Sequence, residues 1–136
     1  MNRAVFDTNV IVAGFLSPGG PPGRIVEWLR AGHVQAVLDD RIAAEYDEVL
    51  ARPMFRLPII EVENVLAAIR ARGFWIEAAA MHAARGLPDA DDAPFLECAR
   101  AADVPLVTGN VRHFPKSVAG NVKVLTPAQF VAALGK

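Results

Sequence analysis

Five short apolar segments of β type alternate with amphipathic helical segments along the chain, and this alternation constrains the fold more than any other feature. The apolar segments are RAVFD, VQAVLD, FWIEAA, VPLVTGN and NVKVL, which begin at residues 3, 34, 74, 104 and 121. Helical segments with apolar residues at spacings of three and four separate them. Such an alternation is typical of an α/β domain. The sequence therefore predicts an α/β fold built on a mainly parallel five-stranded sheet.

The composition is that of a globular protein. The chain has 136 residues, of which 53% are hydrophobic and 21% are charged, and this supplies enough apolar material for a core. The apolar runs are too short or too interrupted for a membrane span of about 20 residues. The sequence does not open with a basic segment followed by an apolar core and a small-residue cleavage site. We therefore expect a single domain over residues 1–136, a cytoplasmic location and no membrane association.

The single cysteine and the balanced charge exclude several classes of function. Cys98 has no second cysteine to pair with, so an internal disulfide and a CxxC metal site are excluded and a buried thiol is expected. The net charge is −1, which gives no overall electrostatic attraction for nucleic acid. A nucleic-acid function must therefore depend on local charge or on a bound metal ion.

Two further patterns exclude nucleotide and zinc sites. The segment SPGGPPG, residues 17–23, is predicted to be a loop because it is too rich in glycine and proline for regular structure. Arg24 follows its last glycine, so the Gly-Lys-Ser/Thr of a phosphate-binding loop is missing. The three histidines, His33, His82 and His113, are too far apart in the sequence for zinc-type spacing.

Polar residues fall at positions that a parallel sheet brings to one edge. Asp7 ends the first apolar segment, where an unpaired buried carboxylate is costly. Asn110 follows the fourth apolar segment, and the aspartates at positions 89, 91 and 92 precede the helical segment before it. Because ligands of open parallel sheets bind beyond the carboxyl ends of the strands, we expect these groups to converge.

The aspartate cluster has two interpretations. Asp91 is suited to cap the helical segment that follows, and Asp92 then adds favourable charge in its first turn. Alternatively, Asp92 combines with Asp7 and with Glu45, an acid that shares a helical stripe with core-facing residues. Three carboxylates can bind a hard divalent cation such as Mg²⁺ or Mn²⁺. Such a site is suited to phosphodiester hydrolysis, because the metal activates a water molecule and stabilises charge on the phosphate.

Four segments occur in the order found in PIN-domain proteins: AVFDTNVIVAGF, AAEYDEVLARPMF, DADDAPFLECA and LVTGNVRHFP. Over nearly its whole length the chain resembles this family of small Mg²⁺-dependent ribonucleases, and it is most similar to the toxins of bacterial and archaeal toxin–antitoxin pairs. The resemblance implies a three-layer α/β/α fold with a parallel five-stranded sheet and an acidic pocket at one end. It also implies an RNA substrate, a cognate antitoxin protein as partner, and a homodimer.

The resemblance also implies roles for individual residues. Asp7, Glu45 and Asp92 match the three acidic metal ligands, which are the catalytic residues of a reaction in which metal-activated water attacks an RNA phosphate. Thr8 and Asn9 match the polar residues beside the first aspartate and are candidates for substrate binding.

The chain departs from the family pattern at Asn110, where many members have a fourth aspartate. Asn110 would then form a weaker second metal site or orient water, and Asp89 is an additional candidate ligand that could fill the gap. Arg112, His113 and Lys116 are candidates for contacts with RNA phosphates. Further basic candidates for such contacts are Arg41, Arg52 and Arg56.

Two other functions fit parts of the sequence. A phosphatase or phosphotransferase with an aspartyl nucleophile also has an aspartate after its first strand, but it needs a second one two residues on, where this chain has Asn9. A non-catalytic PIN-like domain that binds RNA or a protein partner is consistent with the asparagine at position 110.

Overall fold

The computed structural model describes residues 2–77 and 79–135, and its strands form a single five-stranded sheet. The strands are β1 (Asn2–Phe6), β2 (Val34–Leu38), β3 (Phe74–Trp75), β4 (Leu106–Val107) and β5 (Val124–Leu125). Their order is β3-β2-β1-β4-β5, and every neighbouring pair is parallel. The predicted α/β fold with a parallel five-stranded sheet is therefore confirmed.

Helices connect the strands. The α-helices of the described residues are α1 (Thr8–Leu16), α2 (Pro21–Ala31), α3 (Asp40–Leu50), α4 (Ile59–Arg72), α5 (Ala93–Ala102), α6 (Lys116–Ala119) and α7 (Pro127–Leu134). Short 3₁₀ helices occur at Pro53–Phe55, Ala79–His82, Ala90–Asp92 and Val111–His113. None of the α-helices in the described ranges is both long enough and apolar enough to cross a membrane.

The helices cover the sheet in the three-layer α/β/α arrangement that was predicted. Helix α2 packs against α1, α4 and α7, whereas α5 packs against β1, β2 and β4. The sheet contributes fully buried residues such as Phe6 and Leu38 to the core, and the ring of Phe6 meets that of Phe130 edge-on. Because the central strands are covered on both faces, the second part of each, residues 4–6 of β1 and 36–38 of β2, is buried and apolar without alternation.

The glycine- and proline-rich segment at residues 17–23 is only partly a loop, which corrects the prediction. Helix α2 already begins at Pro21, because a proline at the first helical position lacks only an N–H that would have no partner inside the helix. A side chain at Gly23 would collide with the carbonyl oxygen of Pro18, so this glycine lets the remaining loop pack tightly onto the helix.

Two other local expectations are also corrected. The third strand pairs only over Phe74–Trp75, while Ala78 of the predicted segment lies outside the described residues. In the aspartate cluster the capping residue is Asp89 rather than Asp91, and its Oδ1 accepts a hydrogen bond of 3.0 Å from the Asp91 N–H. The physical reason is the 3₁₀ turn that precedes α5, which moves the capping position upstream.

Cys98 is buried in α5, as expected. Burial raises the pKa of its thiol to about 12, so the thiol is neutral at physiological pH. It therefore contributes to the core and not to the charge of the neighbouring side chains.

Candidate active site

Asp7 lies at the carboxyl end of β1, the middle strand of the sheet. It is 6% exposed, and its Oδ2 accepts a hydrogen bond of 2.8 Å from the hydroxyl of Thr108. Burial raises the pKa of Asp7, and the Thr108 hydroxyl together with the nearby backbone amides of Asn9 and Thr8 lowers it only in part. The hydrogen bonds to Asp7 therefore offset only part of the free-energy cost of burying its charge.

Glu45 lies in the second turn of α3 and is half-buried. It accepts a hydrogen bond from the hydroxyl of Thr8, the residue that follows Asp7 in the chain. Burial raises the pKa of Glu45, and the charges of Asp7 and Asp91 raise it further. The structure thus brings Glu45 and Thr8 to the carboxyl end of β1, beside Asp7.

Asp92 lies directly before α5 and is half-buried. Its Oδ2 is 3.1 Å from Nδ1 of His113. The pKa of Asp92 is raised to about 6 by burial and by the charges of Asp7 and Asp89, and His113 offsets this only in part. The carboxylates of Asp7, Glu45 and Asp92 therefore share one electrostatic environment although three separate elements carry them.

Asn110 and Asp89 lie around this group of carboxylates. The N–H of Asn110 donates a hydrogen bond of 3.0 Å to the Thr108 hydroxyl, and its carbonyl oxygen accepts one of 3.1 Å from the His113 N–H. Asp89 is exposed, and one of its oxygens is occupied by the Asp91 amide. In this structure both residues support the local backbone.

The other predicted substrate-binding residues differ in their environments. The side chain of Asn9 is exposed, and its Oδ1 accepts a hydrogen bond of 3.1 Å from the Gly109 N–H, which ties α1 to the turn after β4. Arg112 is exposed beside His113. Among the further basic candidates, Arg41 and Arg52 already form ion pairs with carboxylates, so they are poorly suited to bind phosphates.

Within residues 2–77 and 79–135, no three acidic, histidine or cysteine side chains are grouped so that they could hold a metal ion as they stand. Each predicted ligand is turned to a neighbour instead, namely Asp7 to Thr108, Glu45 to Thr8 and Asp92 to His113.

The donor atoms nevertheless fit a hard divalent cation. Asp7, Glu45 and Asp92 offer carboxylate oxygens, and the Thr8 and Thr108 hydroxyls adjoin them. Oxygen ligands of this kind are those that Mg²⁺ and Mn²⁺ prefer. The residues therefore fit such an ion by donor type.

Sequence reasoning missed two residues that orient the end of β1. Thr108 is fully buried, and its single hydroxyl serves both Asp7 and Asn110; its place directly after β4 was a usable signal. The hydroxyl of Tyr46 donates a hydrogen bond of 2.6 Å to the carbonyl oxygen of Phe6. Its position on an apolar helical stripe indicated only a core residue, so the sequence held no signal for this bond.

The chain is thus an α/β protein with an open parallel sheet and several carboxylates beyond the carboxyl end of the central strand. Proteins of this class bind their ligands beyond the carboxyl ends of the strands. The family whose sequence profile matches the chain is described as the PIN domain, and the match covers residues 3–112, which include Asp7, Glu45 and Asp92. The chain therefore belongs to the PIN domain family, as the resemblance indicated, and its fold is a nuclease fold. A search among curated proteins finds no match to the chain.

Proposed function

We propose that the protein is a divalent-metal-dependent endoribonuclease whose metal-binding and catalytic residues are Asp7, Glu45 and Asp92. The observation that carries this proposal is the placement of the three carboxylates around the carboxyl end of β1, where Glu45 accepts a hydrogen bond from the hydroxyl of Thr8 beside Asp7 and the charge of Asp7 raises the pKa of both Glu45 and Asp92. In the described part of the chain none of the three forms an ion pair with an arginine or lysine. A group of carboxylates without such a partner is suited to a cation from solution.

The side chains around these carboxylates would have separate tasks. A bound Mg²⁺ or Mn²⁺ ion supplies activation of water and neutralises charge on the phosphate. Thr108 orients Asp7 and Thr8 orients Glu45 through their hydroxyls, while His113 contacts Asp92. Arg112 and His113 would bind RNA phosphates at the rim, where they offset repulsion between the acidic site and its polyanionic substrate.

A nuclease assay tests the proposed site. Labelled single-stranded RNA is incubated with the protein and Mn²⁺, Mg²⁺ or EDTA, and the wild type is compared with Asp7→Asn and Asp92→Asn. Both substitutions remove a charged ligand, and we expect each to reduce cleavage by at least about 100-fold. Glu48→Gln is the matched control because this exposed acid on α3 is paired with Arg52. Equal activity in all four proteins would contradict the proposed site.

A second candidate function is a non-catalytic PIN-like domain that binds RNA or a protein partner. The observation that favours it is Asn110, which follows the fourth strand and has an amide side chain where many family members have a fourth carboxylate. In the same assay this function predicts RNA retention in a filter-binding measurement without cleavage, whichever metal is supplied.

The finer assignments rest on the resemblance to the toxin branch of the family. We propose that the chain is a single cytoplasmic domain that forms a homodimer and acts as the toxin of a toxin–antitoxin pair. A cognate antitoxin would then cover the acidic site with a basic side chain. Expression of the protein alone should arrest growth, and co-expression with the neighbouring open reading frame should restore it. Normal growth on sole expression would count against the toxin role while leaving the nuclease assay decisive for the activity.

A further inference from the structure

A second polar cluster, formed by Asp39, Arg41 and Glu97, lies between α3 and α5. The Arg41 guanidinium donates to Asp39 Oδ2 through Nε at 2.8 Å and to Glu97 Oε1 through Nη1 at 2.6 Å. The second oxygen of each carboxylate is also occupied, since Asp39 Oδ1 accepts from the Ile42 N–H and Glu97 Oε2 from the Ala84 N–H. All four carboxylate oxygens therefore have partners, and the cluster has a fixed geometry.

This cluster connects the elements that carry the proposed metal ligands. Asp39 caps α3, whose second turn carries Glu45. Glu97 lies on α5, which begins directly after Asp92. The Ala84 amide belongs to the segment that leads to Asp92, so Glu97 also holds this segment against α5.

We propose that Arg41 and Glu97 are positioning residues that fix α3 against α5 and thereby hold Glu45 and Asp92 close enough to Asp7 to bind one divalent cation. This inference rests on the proposed function, because it concerns the same metal site. Neither residue touches the ion or the substrate, and both act only through the separation of the two helices.

The bridge that Arg41 forms between Asp39 and Glu97 requires the side-chain chemistry of arginine. A guanidinium presents several N–H groups in one plane and can bind two carboxylates at once, whereas a lysine ammonium has no such planar fork. Asp39 is 8% exposed and Glu97 is 6% exposed, so neither can turn to solvent instead. Burial lowers the pKa of Arg41, but its hydrogen bonds to the two carboxylates outweigh this and raise the pKa, so the Arg41 guanidinium is charged at every physiological pH.

The test compares Mn²⁺ binding in the wild type, Arg41→Lys, Glu97→Gln and the double variant. Isothermal titration calorimetry of the metal-free proteins gives the Mn²⁺ Kd, and RNA cleavage is followed over a Mn²⁺ series. Arg70→Lys is the matched control, because Arg70 pairs with Asp47 of α3 from the side of α4 and not of α5. Glu97→Gln preserves side-chain size and the hydrogen bond to Ala84, so it reports on the bridge even if Arg41→Lys fails to fold.

We expect the Mn²⁺ Kd to rise about 10-fold in Arg41→Lys and in Glu97→Gln. The double variant should bind no more weakly than the weaker single variant, because both changes break the same bridge. At saturating Mn²⁺ the kcat should return to the wild-type value, since the binding energy of the ion then draws the ligands together. A merely structural loss would not recover with metal.

Three results would overturn the inference while leaving the proposed function intact: an unchanged Mn²⁺ Kd in both single variants, an equal rise in Arg70→Lys, or a loss of kcat that persists at saturating Mn²⁺. A wild-type protein that binds no Mn²⁺ and cleaves no RNA would overturn the proposed function and this inference together.

Discussion

The ends of β1 and β2 are neighbours at the same edge of the sheet, and each is followed by a buried aspartate. Asp7 follows β1 and is 6% exposed, and Asp39 follows β2 and is 8% exposed. Asp39 forms an ion pair with Arg41, which also binds Glu97. Asp7 accepts a hydrogen bond from the Thr108 hydroxyl, and its charge acts on the carboxylates of Glu45 and Asp92.

The difference between these two strand ends lies in the source of the compensating charge. At β2 the chain supplies its own cation, and the result is an internal bridge that holds two helices together. At β1 the described residues supply hydroxyls and a histidine, and the negative charge is left in excess. A buried strand-end aspartate is therefore a candidate metal ligand only where no arginine reaches it.

The largest expected effect on stability comes from removing the cation at β2. Arg41→Met leaves Asp39 and Glu97 buried without their partner, and loss of one member of a buried pair costs about 3–5 kcal/mol. The Arg41 side chain is 43% exposed, so solvent screening reduces the cost, and we expect the free energy of unfolding to fall by about 2 kcal/mol. Urea denaturation of the metal-free protein at pH 7 measures it. Arg52→Met, which breaks an exposed pair, should change little, and an equal loss in both variants would remove the distinction.

At the end of β1 we expect a substitution to increase the free energy of unfolding rather than decrease it. Asp7→Asn removes a charge that burial disfavours, so the free energy of unfolding of the metal-free protein at pH 7 should rise by about 1 kcal/mol, as is common when a functional group is replaced. Mn²⁺ should stabilise the wild type and not the variant, because the ligand is lost. Thermal melts with and without Mn²⁺ measure both effects. A destabilised Asp7→Asn would mean that the protein itself already compensates this carboxylate.

A smaller effect is expected at the hydroxyl that orients Asp7. Thr108→Val keeps the shape of the side chain but leaves the Asp7 carboxylate and the Asn110 N–H without their shared partner. We expect the free energy of unfolding to fall by about 1 kcal/mol. In an Asp7→Asn background the same change should cost less, because the two residues are in contact. Additive effects in urea denaturation would show that Thr108 does not act through Asp7.

The smallest expected effect is a pH dependence of stability specific to β1. The pKa of Asp92 is about 6 in the folded protein against an ordinary value of 3.8. Between these values the folded state binds more protons than the unfolded chain, so the metal-free protein should gain stability as the pH falls from 7 to 5. Because Mn²⁺ needs ionised ligands, its affinity should fall over the same range.

Unfolding measured at pH 7, 6 and 5 tests this dependence. Asp92→Asn should reduce the gain, with the remainder coming from Asp7 and Glu45, whose pKa values are also raised, whereas Glu48→Gln should retain it. Below pH 4.5 the exposed pairs of Glu27 and Glu48, whose pKa values are lowered by hydrogen bonds to Arg30 and Arg52, lose their small contribution, and the gain should become weaker. A stability that falls steadily from pH 7 to 5 would contradict the raised pKa of Asp92.

Local pattern was enough to predict the fold and to indicate candidate residues for the site. The alternation of apolar segments with helical periodicity predicted the parallel sheet, because each element depends on residues close in the sequence. By the same reasoning, the position of Asp7 at the end of a buried segment indicated the edge of the sheet where the candidate site lies. The capping residue Asp89 was missed because a 3₁₀ turn before a helix leaves no clear mark in the sequence.

Tertiary packing decided the partners of the buried carboxylates of Asp7 and Glu97. Thr108 and Asp7 are 101 residues apart in the sequence, and Arg41 and Glu97 are 56 apart. The pairing of Asp39 with Arg41 is local, because the two residues are two positions apart, whereas the meeting of Arg41 with Glu97 and of Thr108 with Asp7 depends on how α5 and β4 pack beside β2 and β1. The sequence by itself determined that the chain forms a parallel α/β sheet with acids at one edge. Tertiary packing decided that Glu97 shares the cation of Asp39 and that Asp7 meets the Thr108 hydroxyl, because these partners are distant in the sequence and close only in space.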